Sequence, residues 1–207
     1  MEEPSARRHL VRAAVFLLGA VLSLGGGSEP AVGADAPVRT FQIYSQDVDE
    51  PENPNRKVYV LRTDTQRFFF LPPHRWEVRQ EGTNQALLFT APDLSAGIRL
   101  DLDVDTNTIP VSLEPVRLRE AVLAGFSDSQ IEREYACVVD GQKGVAFDLR
   151  KTLQHSTQAV FRLAYVPYPG GLAAFEMRTT TNHSTSARRA LGRLMNSFRV
   201  EPQPTGR

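Results

Sequence analysis

The chain has 207 residues, with 24 Lys and Arg against 24 Asp and Glu, so its formal net charge is zero. That balance leaves no electrostatic footprint for nucleic acid and argues against that partner class. The one cysteine, Cys137, excludes an internal disulfide, so the fold must be held by its core.

Residues 1–34 follow the three-part plan of a secretory signal. Arg7, Arg8 and Arg12 form a basic n-region, and the apolar run from Ala13 to Leu24 forms the h-region. Crossing a bilayer takes about 20 apolar residues. This run is shorter and ends in Gly25, Gly26 and Gly27, so it reads as a cleaved signal and not as an anchor. Val32, Gly33 and Ala34 supply the small side chains a signal peptidase reads, which places the cut after Ala34. Arg7 and Arg8 fit n-region charge, with a twin-arginine route as the alternative. The absence of a cysteine near the cut excludes lipoprotein anchoring. Cleavage removes three arginines and three glutamates, so the mature chain stays balanced and keeps the length of one ordinary domain.

Residues 35–56 read as an N-terminal extension or linker with one short strand, Val38 to Tyr44. Asp47 to Asn55 carries four acids and two prolines and reads as a solvated loop. From residue 57 to 201 the pattern is dense. Val58 to Leu61 and Phe68 to Leu71 read as strands, the second stopped by Pro72 and Pro73. Leu87 to Thr90 and Ile98 to Val104 flank a turn-rich link and predict an antiparallel hairpin. Leu118, Val122 and Phe126 fall four apart, which predicts a helix over Pro115 to Phe126. Ile131 to Asp140 and Val145 to Thr152 form a hairpin through Asp140 and Gly141. Gln158 to Val166 and Leu172 to Thr181 form another, joined through Pro167 to Gly171. A last helix runs from about Thr185 to Ser197, with Ser184 as its N-cap. Ala187, Leu191, Leu194 and Phe198 mark its apolar face, opposite Arg189 and Arg193. Residues 202–207 read as a disordered tail. The whole is an α+β domain, an antiparallel sheet covered by helices.

Two segments carry a family resemblance. Phe68 to Trp76 (FFFLPPHRW) resembles the opening strand and Pro-x-x-Trp turn of PsbP-like proteins. Leu191 to Arg199 (LGRLMNSFR) resembles the helix and Ser-Phe-Arg ending that closes the same domains. Where the family's turn usually has glycine before the tryptophan, this chain has Arg75. The resemblance covers roughly Val58 to Val200 and implies an α/β/α sandwich. It also implies an exported or lumenal accessory protein that binds larger complexes, or a lipoprotein without an assigned role, and it does not imply an enzymatic reaction.

The residues that could carry chemistry form no working set. Asp101, Asp103 and Asp105, with Asn107 after them, resemble the opening of a calcium loop. Thr106 and Ser112 stand where that loop needs glycine and glutamate, and a regular strand holds the carboxylates roughly 7 Å apart. His74, His155 and His183 lack neighbours at metal-ligand spacing. Ser95, Ala96 and Gly97 complete only half of a nucleophile elbow, and no phosphate loop occurs. Cys137 alternates with Tyr135 and Val139 and reads as a core residue. Trp76 is the one weak candidate for ligand or partner contact, against a packing role at the turn. Tyr44, Tyr165 and Tyr168 are its possible companions.

The sequence therefore predicts an exported, non-catalytic accessory or binding protein of the cell envelope, with no catalytic, metal or cofactor site. It would contact a protein partner or envelope component and have no stable membrane span after cleavage. A carrier of a lipid or other apolar small molecule is the first alternative. An exported enzyme whose site assembles from distant residues is the second. Intact-mass analysis of the secreted protein should find Asp35 at its N-terminus; full-length chain recovered from the membrane fraction would contradict the cleavage.

Overall fold

The computed structural model describes residues 42–50, 53–81, 86–102, 104, 109, 113–153 and 157–203. The signal, the first part of the extension, His155, Asp103, Asp105, Asn107 and residues 204–207 lie outside them. The described strands are all antiparallel and form two sheets. The smaller one holds β1 (Gln42–Glu50), β2 (Asn53–Arg62), β3 (Gln66–Phe70) and β11 (Arg199–Pro202) in that order. The larger one begins with β4 (Glu77–Gln80), β5 (Ala86–Thr90) and β6 (Ala96–Asp101). It continues through β10 (Gly171–Thr180), β9 (Gln158–Tyr168), β8 (Gln142–Thr152) and β7 (Gln130–Val139). Among the described residues two α-helices accompany them, α1 (Pro115–Gly125) and α2 (Ser184–Ser197). This is the expected α+β class, but two sheets replace the single one.

Alternation along the strands sorts the core into two clusters. On β9, Val160, Ala164 and Val166 enter one cluster while Leu163 and Tyr165 enter the other. The first cluster joins the larger sheet to α2 and to the smaller sheet, through Leu61, Phe68 and Phe70. The second joins it to α1, through Leu118 and Val122. One face is thus covered by a helix together with strands, where helices alone were expected.

Several expectations are corrected. Where it is described, the acidic stretch Asp47 to Asn55 is strand: β1 and β2 pair from Gln42 with Arg62 to Glu50 with Asn53. Backbone pairing does not depend on side-chain polarity. The extension expected over 35–56 is, from Gln42 on, an edge strand and the start of β2. Strand β6 stops at Asp101, short of Val104. β4 and β11 were not foreseen, and Pro202, assigned to the tail, ends β11. The β9–β10 turn is tighter than expected, since Tyr168 already pairs with Gly171. Ser184 is not the N-cap of α2: His183 stands there, at the end of a 3₁₀ turn. The Ser184 hydroxyl instead donates to the Thr181 carbonyl at 2.9 Å.

Left-handed backbone occurs at several described turns, Leu94 and Gly170 among them, and two others bear on the sequence reading. Asp140 (φ 51°) and Gly141 (φ 74°) form the β7–β8 turn, and two successive positive φ angles match the right-handed twist of the flanking strands. The second is at Arg75, φ 63°, in the turn that leads from Pro73 to Trp76. The Trp76 amide closes it by donating to the Pro73 carbonyl at 3.0 Å. An L-residue with a Cβ is disfavoured there by about 1–2 kcal/mol, and glycine is not. Arg75 is exposed, so its side chain offers little in return. Arg75→Gly should raise stability by up to about 1 kcal/mol in chemical denaturation, and Arg75→Val should lower it. Destabilisation by the glycine would contradict this reading of the turn.

Candidate functional site

Pro115 opens α1 at its first helical position, where a missing N–H costs nothing. The helix then sets Leu118 and Val122 on Phe147, Leu149 and Leu163. Phe126, just past its end, meets Phe161 edge-on with ring centres 5.4 Å apart. Beside this packing the larger sheet leaves a half-open cavity of about 360 Å³. Its apolar wall includes Phe126, Leu163, Ala174 and Ile109, and its polar wall is Arg99, Asp101, Glu176 and Tyr165.

The polar wall is held by ion pairs, two of them between alternate residues of one strand. Arg99 on β6 binds Glu81 at 2.7 Å and Asp101 at 3.0 Å. Glu176 on β10 is engaged by Arg178. Arg99 and Glu176 are direct cross-strand partners. Burial, with the Glu176 carboxylate adding to it, pushes the Tyr165 phenol up to about 12. Tyr165 is therefore a neutral hydroxyl throughout the physiological range, able to donate or accept a hydrogen bond. The arrangement suits an apolar group that carries a polar end.

The residues singled out from sequence do not converge here. Trp76 is half-buried against the first core cluster, on the other side of the larger sheet from α1. Its observed contacts are those of packing at the turn. Tyr168 is also in that cluster: its hydroxyl donates to the Leu102 carbonyl at 2.7 Å and its ring meets Phe68 edge-on. Tyr44 is 45% exposed on β1. Of these residues, Tyr165 lines the cavity and Trp76, Tyr168 and Tyr44 do not. Asp101 is the one member of the aspartate row among the described residues, and Arg99 pairs with it. Ser95 is tied to Asp93, its hydroxyl donating at 2.6 Å and its amide at 3.1 Å. His74 and His183 are exposed. No group of three metal-ligating side chains occurs among the described residues. Burial raises the Cys137 thiol, against a weaker opposing backbone hydrogen bond from Gly144, and a protonated thiol is a poor nucleophile.

Sequence reasoning missed a buried ion pair. Asp148 on β8 is 5% exposed and accepts two hydrogen bonds from Arg162 on β9, at 2.6 and 2.8 Å. The two are cross-strand partners. A signal was available: each is the lone charge inside an apolar run, Phe147-Asp148-Leu149 and Phe161-Arg162-Leu163. Opposite charges at matching positions of a hairpin are a pairing cue.

No family model matches the chain, and no curated protein does. Solved structures do. The chain is similar to LpqN of Mycobacterium tuberculosis, a protein involved in cell envelope biogenesis, at 10% identity and TM-score 0.47, over 78% of this chain and 92% of that one. It is similar to the cyanobacterial PsbP, CyanoP, of Synechocystis, at 17% identity and TM-score 0.45, over 84% and 98%. A Pseudomonas aeruginosa protein of unknown function is similar at 13% identity and TM-score 0.38, over 78% and 99%.

Proposed function

We propose that the chain is an exported accessory protein of the cell envelope, acting by binding and not by catalysis. Export rests on the signal read over residues 1–34. No described helix is long and apolar enough to cross a membrane. The layering that goes with this reading is an α/β/α sandwich, supported by the two apolar clusters to which α1 and α2 contribute.

The cavity beside α1 is the observation that carries the binding role. Its volume of about 360 Å³ lies at the lower end of what small-ligand sites use, about 300–1,000 Å³. Its apolar wall can desolvate a hydrocarbon or ring, while Tyr165 and the arginine-held carboxylates meet a polar end. An envelope component presenting such a group is the occupant we favour. Transport of a free apolar molecule is the second reading, and the same wall supports it. A catalytic reading has less to stand on, because Asp101 and Glu176 are both engaged by arginines and none of the described residues lining the cavity is a histidine.

Ala174 lies in the wall and is only half-buried, so a larger side chain there should occupy the cavity without entering the core. A naphthalene-type fluorophore should bind the mature protein saturably and brighten. Ala174→Phe should weaken that binding by about ten-fold or more, equivalent to roughly 1.4 kcal/mol, with the melting temperature kept. No saturable binding, or binding unchanged in Ala174→Phe, would contradict the cavity as the site.

A further inference from the structure

On the side of the larger sheet that faces α2, two arginines share one carboxylate and a third stands beside it. Arg162 occupies both oxygens of Asp148. Arg188, reaching down from α2, is left with a 3.5 Å approach from Nη2 to Oδ2. Its Nε is buried and finds no hydrogen-bond acceptor among the described residues. Arg133 on β7 is the cross-strand partner of Asp148 on the opposite side from Arg162, which puts it on the same face of the sheet. It is exposed and makes no ion pair among the described residues. Glu132 next to it is already held by Arg150 at 2.6 Å. Tyr135, two residues along β7, supports the Arg162 guanidinium 5.3 Å above its ring.

The local count is three positive charges against one negative. Arg162 is fixed by two hydrogen bonds and the tyrosine face, so it is a support and not a free donor. Arg188 and Arg133 keep donors that nothing in the described chain satisfies, and a guanidinium fork matches the oxygens of a phosphoryl or carboxylate group. A carboxylate would offset half of the surplus. A phosphate monoester carries about −1.5 to −2 at neutral pH and offsets most or all of it.

We propose that Arg133 and Arg188, set by the Asp148–Arg162 pair, form a binding site for a phosphate group. The site lies on the other side of the larger sheet from the cavity and does not depend on it. The phosphate is carried either by a lipid headgroup or by a small soluble molecule, and the two sources are separable by experiment.

The mature protein, labelled for NMR, is titrated with inorganic phosphate and separately mixed with phosphatidylcholine vesicles with and without phosphatidic acid. A saturable shift of the Arg188 and Arg133 side-chain Nε–H signals with phosphate is expected. Arg188→Gln and Arg133→Gln should each weaken phosphate binding by about ten-fold or more, the loss that follows one charge-assisted hydrogen bond. Arg193→Gln, on the outer side of α2, should leave it unchanged. Arg133→Gln guards against a folding artefact, because that side chain is exposed and unpaired among the described residues. Vesicle binding that needs phosphatidic acid and is lost in Arg133→Gln assigns a lipid headgroup; phosphate binding without it assigns a soluble ligand. The proposal is overturned if neither probe shifts these signals saturably. It is equally overturned if all three variants weaken binding alike, which is the behaviour of diffuse surface charge.

Discussion

The ring of Phe198 lies 5.3 Å from that of Phe175 on the larger sheet and 5.9 Å from that of Phe68 on the smaller one. The two sheets belong to separate hydrogen-bond ladders, so side-chain burial couples them, helped by hydrogen bonds from Val200 to Asp140 and from Gln66 to the Pro169 carbonyl. Phe198 sits at the end of α2, and the helix contributes Ala187, Leu191 and Leu194 to the same buried cluster. Its neighbours fix the ring's position through the backbone. The Leu71 amide donates to the Ser197 hydroxyl at 3.0 Å, and the Val200 amide donates to Asp140 at 2.9 Å. The Ser-Phe-Arg ending is therefore a joint: serine ties it to the strand before the Pro-x-x-Trp turn, phenylalanine fills the gap, and Arg199 begins β11.

This joint divides the molecule's two faces by chemistry. On its side the larger sheet is closed by α2 and the smaller sheet, and Asp148 is buried there with its arginines. On the other side α1 covers the part lined by Phe147, Leu163 and Leu172. Toward β4 the same side carries ion pairs instead, Glu77 with Arg79 and Arg99 with Glu81. The cavity lies at the boundary between covered and charged surface. An apolar floor can remain open there because the adjoining strands are already soluble.

Much of this was legible in the sequence because burial imposes a period. The β7–β8 and β9–β10 hairpins, α1 and the apolar face of α2 all repeat at the spacing their packing demands. β4 escaped because one of its sides faces the charged surface, so Glu77 to Gln80 presents only Val78 to the core. The tip of β1 and β2 escaped because strands at a sheet edge need no apolar residues. Asp148 and Arg162 escaped because a charge in an apolar run is readable only once its cross-strand partner is known. The cavity was illegible for a related reason. Tyr165 and Ala174 face each other across the β9–β10 hairpin, but Asp101 comes from β6, whose place beside β10 the local pattern does not specify. Arg75 before Trp76 was visible in the sequence, and its meaning emerged only with its positive φ.

If Phe198 couples the sheets, its removal must weaken both at once. Truncating a buried phenylalanine costs about 3–5 kcal/mol, a large share of a stability of about 5–15 kcal/mol. The direct measurement is native-state amide hydrogen exchange on Phe198→Ala. Protection in β3 of the smaller sheet and in β10 of the larger one should fall together and by similar amounts. Loss confined to the smaller sheet, with β10 protected as in the unaltered chain, would contradict the account.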